Sequence, residues 1–224
     1  MSIKLILHSP TDVPLEAHCI SPDTIMNLSQ SGVEHLEVIH GNEKAPLGDF
    51  FTVKGKGQET IHIEGDTSNV KFLGARMSHG EILIDGDVSM HLGWNMSGGN
   101  IIVKGNAGDW VGPEMTGGRI TVEGNAGHMV GSAYRGQSVG ILGGEIFVHG
   151  NVKNEAGHAM RRGLIAIGGN AGDFTGVNML AGSVIVCGEM GIRPGAGMKR
   201  GTIVSFSQSE MLPTFEFALS LIHI

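Results

Sequence analysis

The sequence predicts an all-β protein: a single-stranded parallel β-helix of about seven 19-residue coils, with a small N-terminal α+β cap. Three observations carry that prediction. Gly86, Gly105, Gly124, Gly150, Gly169 and Gly188 open near-copies of one phrase, at spacings of 19, 19, 26, 19 and 19 residues. Each copy closes on a short Ile/Val alternation. A methionine keeps the same step, as Met77, Met96 and Met115 and again as Met160, Met179 and Met198. A glycine-rich period near 20 residues marks a solenoid, in which each repeat buries its apolar face only by stacking on its neighbours.

Composition agrees. The 224 residues suit one principal domain, and 37 glycines in register beside 41% hydrophobic residues describe a packed chain. A net charge of −7 offers no general attraction to nucleic acid or to anionic membranes. No apolar run approaches the roughly 18 residues of a membrane span. The opening Met1 to His8 is too short and too quickly polar for a signal peptide. Cys19 and Cys187 stand alone, which suggests neither a disulfide framework nor an iron–sulfur site. A soluble cytoplasmic protein is expected, with neither nucleic acid nor membrane as partner.

Residues 1–60 precede the repeat and read as the cap module. Ile3 to Leu7 has strand character. Ser21-Pro22-Asp23 resembles a helix start, leading to a short helix that Gly32 ends. Val33 to Ile39 and Phe50 to Val53 read as strands, with turn chemistry at Pro46-Leu47-Gly48-Asp49 between them. Residues 61–207 form the β-helix and 208–224 a C-terminal tail.

Each coil ends in a strand with two inward positions: Ile82/Ile84, Ile101/Val103, Ile120/Val122, Ile146/Val148, Ile165/Ile167, Val184/Val186 and Ile203/Ser205. Period-two alternation of β-branched residues argues strand, and coils stacked in one sense make the sheet parallel. A right-handed coil follows the hand of parallel crossovers. The methionines form an adaptable core ladder. Counting forward from the leading glycine puts Tyr134 at the methionine position of the fourth coil. Asn and Asp after the leading glycines are expected in left-handed turns.

The outward strand position reads Leu83, Ile102, Thr121, Phe147, Ala166, Ile185 and Val204. Only the threonine is polar. Such a stripe points to a covering partner; the alternatives are strand propensity alone or cover by the N-terminal module. The insertion after Gly131 carries Tyr134, Arg135, Gln137 and Ser138, and insertions in solenoids become loops on one face. It reads as a contact loop or as a tolerated bulge. Together Leu83, Ile102, Phe147, Ile185, Val204, Tyr134, Arg135, Gln137 and Ser138 make the expected partner interface.

The search for chemistry returns no catalytic, cofactor-binding or metal-binding set. Gly195-Ala-Gly197 falls on the repeat register and lacks dinucleotide-loop spacing. His79, His91, His128, His149 and His158 show no metal-ligand spacing, and Asp109, Glu114, Glu155 and Asp173 read as solvated turn acids. No nucleophile elbow is present. Arg161, Arg162, Arg193, Lys199 and Arg200 give the later coils a basic edge, suited to an acidic partner or cofactor tail, or simply to solubility.

The repeat resembles the glycine-rich GXGXG β-helix family, known from the C-terminal domain of glutamate synthase large subunits and from the C subunit of formylmethanofuran dehydrogenase. Pro46-Leu-Gly-Asp-Phe-Phe51, Arg161-Arg-Gly-Leu-Ile-Ala-Ile-Gly-Gly-Asn-Ala-Gly-Asp173, Arg193-Pro-Gly-Ala-Gly-Met-Lys-Arg-Gly-Thr-Ile-Val204 and Met211-Leu-Pro-Thr-Phe215 favour the second branch. The two arginine-led stretches look most like the C subunit of bacterial formyltransferase/hydrolase complexes.

The resemblance implies a non-catalytic scaffold subunit of a complex that handles the formyl group on methanofuran or a related carrier, in tetrahydromethanopterin-linked one-carbon metabolism. It implies amidohydrolase-like and formyltransferase-like partner subunits. The cofactors sit on those partners: zinc, and in dehydrogenase forms a molybdenum or tungsten pterin. The alternative is a glutamate synthase-type β-helix of an amidotransferase assembly. Compared with that family the ending after Phe215 is short and apolar, which suggests a truncated or non-native tail.

Overall fold

The computed structural model describes residues 2–8, 12–134, 136–210 and 212–215. The N-terminal segment contributes β1 (Ile3–Leu7), β2 (Leu15–Glu16), α1 (Pro22–Ile25), α2 (Gln30–Glu34), β3 (Glu37–His40), β4 (Glu43–Pro46) and β5 (Phe51–Lys54). Then come β6 (Thr60–Glu64) and β7 (Val70–Lys71). One strand per repeat follows: β8 (Glu81–Ile84), β9 (Asn100–Val103), β10 (Arg119–Val122), β11 (Glu145–Val148), β12 (Leu164–Ile167), β13 (Ser183–Val186) and β14 (Thr202–Ser205).

These strands build a ten-stranded sheet in the order β14-β13-β12-β11-β10-β9-β8-β6-β1-β5, parallel except where β5 meets β1. The chain is a β-solenoid of about eight turns, close to the seven coils expected. Register is strict. Ile82, Ile101, Ile120, Ile146, Ile165, Val184 and Ile203 pair in series, and the first six are wholly buried. Burying each such side chain stabilises by about 1.5–3 kcal/mol, and only stacking buries it. A second ladder, one residue wide, runs Thr67, Val88, Ala107, Ala126, Val152, Ala171 and Met190.

The N-terminal segment extends this stack. β1 pairs with β6, β2 pairs with β7, and the Gly74 N–H donates to the Ile20 carbonyl. It therefore lengthens the sheet and leaves the outward row of later strands bare. A smaller sheet, β4-β3-β2-β7, lies beside it.

Four sequence expectations change. The single short helix is two: Asn27 turns left-handed between them, and Gly32 sits inside α2, where its N–H donates to Ser29 Oγ at 3.1 Å. Val33 and Glu34 accordingly belong to α2, so strand β3 begins later than expected.

In the fourth coil the methionine position is filled by fully buried Ile141, not by Tyr134. The Leu142 N–H donates to Met115 O, as the Thr116 N–H donates to Met96 O one coil earlier. The extra residues come before the inward position, so counting from the leading glycine misses by the length of the insertion.

The Asn column is not left-handed. Asn106, Asn125, Asn151 and Asn170 form a ladder in which each Oδ1 accepts the backbone N–H one coil on, at 2.8–2.9 Å. The left-handed non-glycine residues of the coils lie elsewhere, in one column of Phe72, His91, Trp110, Met129, Glu155, Phe174 and Arg193 and a second, four residues on, of Arg76, Asn95, Glu114, Ala159 and Asn178.

The glycines before the strands have a packing reason. At Gly118, φ is +83° and an added Cβ would lie 2.6 Å from the Met96 methyl and 2.9 Å from the Gly98 carbonyl carbon. Other methionines of the core ladder are seated against the next coil's glycine in the same way: Met77 at Gly99, Met115 at Gly144, Met160 at Gly182 and Met179 at Gly201.

Candidate functional site

The outward row is the most continuous surface the register creates. His62, Leu83, Ile102, Thr121, Phe147, Ala166, Ile185 and Val204 are successive partners across the strands, and all are half-buried. Parallel strands lie about 4.8 Å apart, so Leu83 to Val204 spans six such steps.

Polar pairs rim its early part. On one side the Asn100 amide donates to Glu81 at 3.1 Å, and Arg119 donates to Glu145 at 2.9 and 2.6 Å. The Arg119 guanidinium also lies 5.4 Å from the Phe147 ring centre. On the other side Lys104 pairs with Asp85 and Lys4 with Glu64, each at 2.7 Å. In the later strands the rims turn apolar, with half-buried Leu164 on one edge and Phe206, 74% exposed, on the other. An apolar centre with a polar rim is the anatomy of a protein interface.

The Tyr134 loop forms a second, separate surface. Tyr134 shares a 2.6 Å hydrogen bond with His91 Nδ1 and lies tilted against the His91 and Trp110 rings, at centroid distances of 5.4 and 5.9 Å. His91 is itself stacked between Phe72 at 4.6 Å and Trp110 at 5.4 Å, and Phe72 stacks on His18 at 4.0 Å. Burial in this stack pushes the His91 ring down to about 4, with Lys71 adding to the effect. Burial likewise raises the Tyr134 phenol, so both groups are neutral at pH 7. Gln137 and Ser138 are exposed, and the Gln137 N–H donates to Tyr134 O at 3.0 Å. Arg135 lies outside the described residues.

The structure thus joins Leu83, Ile102, Phe147, Ile185 and Val204 in one row. It holds Tyr134 on the aromatic column in the turn-rich half of the coil. Sequence reasoning did not find that column, because its members differ in chemistry: His91, Trp110 and Phe174 share only their place in the coil and positive φ.

Sequence reasoning also passed over His62, whose ring nitrogen lies 2.7 Å from Asp85 Oδ2. His62, Glu64 and Asp85 offer ligand atoms within 4.8 Å of one another. Lys4 and Lys104 occupy the two carboxylates, and Lys104 foremost holds the Asp85 carboxyl below its usual range. A metal ion there must displace two ammonium groups. The signal was a carboxylate two residues beyond the outward row in two successive coils, Glu64 after His62 and Asp85 after Leu83.

The turn residues also acquire partners. Asp109 Oδ1 accepts the His128 N–H at 2.7 Å, and Asp173 Oδ1 accepts the Ile192 N–H at 2.9 Å. These acids are rungs of an inter-coil ladder, where a solvated face was expected. No helix among the described residues is long and apolar enough to cross a membrane.

No family model matches the chain. It is 44% identical over 94 residues to the C subunit of the molybdenum-containing formylmethanofuran dehydrogenase 1 of Methanothermobacter marburgensis, covering 41% of this chain and 24% of that protein. It is 42% identical over 86 residues to the C subunit of the tungsten-containing formylmethanofuran dehydrogenase 2 of Methanothermobacter thermautotrophicus, covering 36% and 32%. The matched segment thus spans about a quarter to a third of these curated relatives. The fold matches a chain from the crystal structure of the formyltransferase/hydrolase complex of Methylorubrum extorquens, solved with methylofuran. There the TM-score is 0.88 and the identity 34%, over 94% of this chain and 79% of the other.

Proposed function

The chain belongs to the family of formylmethanofuran dehydrogenase C subunits, and on that premise we propose that it is a non-catalytic scaffold subunit of a formyl-handling complex. The observation that carries this reading is the outward row. Strand register aligns Leu83, Ile102, Phe147, Ile185 and Val204 into an apolar stripe that the N-terminal segment, stacked end-on, leaves uncovered. Apolar surface of that continuity is stabilised by a covering protein.

The covering subunits are of the amidohydrolase-like and formyltransferase-like kinds, in a cytoplasmic assembly. They carry the metal chemistry, zinc or a molybdenum or tungsten pterin; the names of the relatives support molybdenum and tungsten. The Tyr134 to Ser138 loop makes a second contact on another side of the rod.

The test is co-expression of the chain with its genomic neighbour subunits. Phe147→Glu and Ile185→Glu should abolish co-purification while circular dichroism and melting temperature stay near those of the parent. Unchanged assembly in both variants would show that the stripe is not the interface.

A further inference from the structure

Four cations gather in one groove with no carboxylate among its lining residues. Lys4, Lys44, Lys104 and Arg119 each lie within 2.9 Å of a carboxylate oxygen. Arg161, Arg162, Lys199 and Arg200 make no ion pair among the described residues, and all four are exposed. They line a single groove of about 770 Å³ floored by Leu180, Ala181 and Gly182, with Leu142, 42% exposed, at its margin.

The solenoid register explains why they meet. The Arg161 N–H donates to Ile141 O, the Leu180 N–H to Met160 O and the Lys199 N–H to Met179 O, at 2.8–2.9 Å. Arg161-Arg162, Leu180-Ala181 and Lys199-Arg200 are therefore the same position of three consecutive coils. Two cationic pairs stand two coil steps apart, about 10 Å at the usual strand spacing, with an apolar step between them.

That arrangement selects its ligand. No carboxylate lines the groove, so its positive potential persists locally on a chain of net charge −7. The distance between pairs is too long for one small anion to engage both, so a chain of anionic groups is required. Arg161, Arg162 and Arg200 offer planar forks that fit carboxylates and phosphates alike. The Leu180 floor suits methylene groups, which an acidic side chain carries and an inorganic phosphate chain does not.

We propose that this groove binds an extended acidic peptide segment of a partner chain, with successive carboxylates on the Arg161/Arg162 and Lys199/Arg200 pairs. This goes beyond the scaffold reading and does not depend on it, because the experiment uses the full chain alone.

Fluorescence anisotropy is measured with a labelled octapeptide of alternating glutamate and serine, against the same peptide with glutamine for glutamate. The glutamate peptide should bind, and should weaken as salt shortens the screening length. The quadruple variant Arg161→Gln/Arg162→Gln/Lys199→Gln/Arg200→Gln should lose at least tenfold in affinity with unchanged circular dichroism. Leu180→Ser should weaken the peptide while leaving tripolyphosphate binding as it was. Absence of binding at low salt, equal binding of the glutamine peptide, or binding untouched by the quadruple variant overturns the proposal. Tripolyphosphate binding more tightly than the peptide overturns it in favour of a phosphate ligand.

Discussion

Tyr134 and His91 are 43 residues apart in sequence and share a 2.6 Å hydrogen bond, so the inserted loop is tied to a coil two turns below its own. Because burial pushes His91 down to about 4, foremost, its neutral ring is what the fold selects. The unfolded ring titrates near 6.5, so between roughly pH 6.5 and 4 the unfolded chain binds the extra proton. Stability from this ring is complete above pH 6.5 and is lost as pH falls through that window. Melting temperature measured against pH should fall in it, and His91→Phe should flatten the fall. Phenylalanine already occupies the same left-handed position at Phe72 and Phe174, so the replacement fits the backbone.

Tyr134→Phe keeps the ring and removes the hydroxyl. A loss of about 1 kcal/mol in denaturant unfolding is expected, the usual net worth of one hydrogen bond. Proteolytic cleavage near Gln137 and Ser138 should accelerate at the same time. Equal cleavage rates in parent and variant would mean that the loop is held by ring contacts alone.

Gly118→Ala tests the methionine seat. The new methyl group meets the Met96 side chain and the Gly98 backbone at positive φ. Overpacking and the left-handed penalty together should cost about 2–5 kcal/mol. Met96→Ala in the same chain should recover only part of that, since the Gly98 clash remains. Full recovery would locate the whole cost in the side chain.

Asn125→Ala removes the acceptor of the Asn151 N–H and a donor to Asn106 Oδ1. The site is solvent-facing, so water substitutes in part. A loss of about 1–2 kcal/mol is expected from urea unfolding, the lower part of the range for an orphaned backbone donor.

At the His62, Glu64 and Asp85 cluster the two lysines already neutralise the carboxylates. Lys4→Ala/Lys104→Ala should therefore bind Zn²⁺ more tightly than the parent in calorimetric titration. Equal affinity would show that the ammonium groups do not compete for the site.

The sequence made the stack readable and left the corners obscure, for one physical reason. Inward side chains must be apolar and branched in every coil, so Ile82 through Val184 announce themselves by composition. Corner residues satisfy only a backbone shape, which many side chains accept. Asn106 and Asn125 looked like turn formers because Asn tolerates left-handed φ. In the structure their side chains serve as rungs, and His91 and Trp110 take the strained positions. The stripe was legible as a row, since Phe147 and Ile185 alternate with buried neighbours. Its separation from the Tyr134 loop was not, because only the three-dimensional path of the coil assigns them to different sides. The cation groove was half legible: Arg161, Arg162, Lys199 and Arg200 stood out as a basic edge, but the intervening Leu180 step appears only when coils are superposed.

The left-handed column of His91 and Trp110 has a further consequence. A non-glycine residue there costs on the order of 1–2 kcal/mol of backbone energy, yet the chain sets histidine, tryptophan, phenylalanine and arginine in it, and stacked rings recover about 0.5–1.5 kcal/mol per pair. The backbone shape recurs in coil after coil whatever side chain it bears. The column is therefore a line of evenly spaced writing positions: its lettering can change from one protein to the next, and the core beneath would not register the edit.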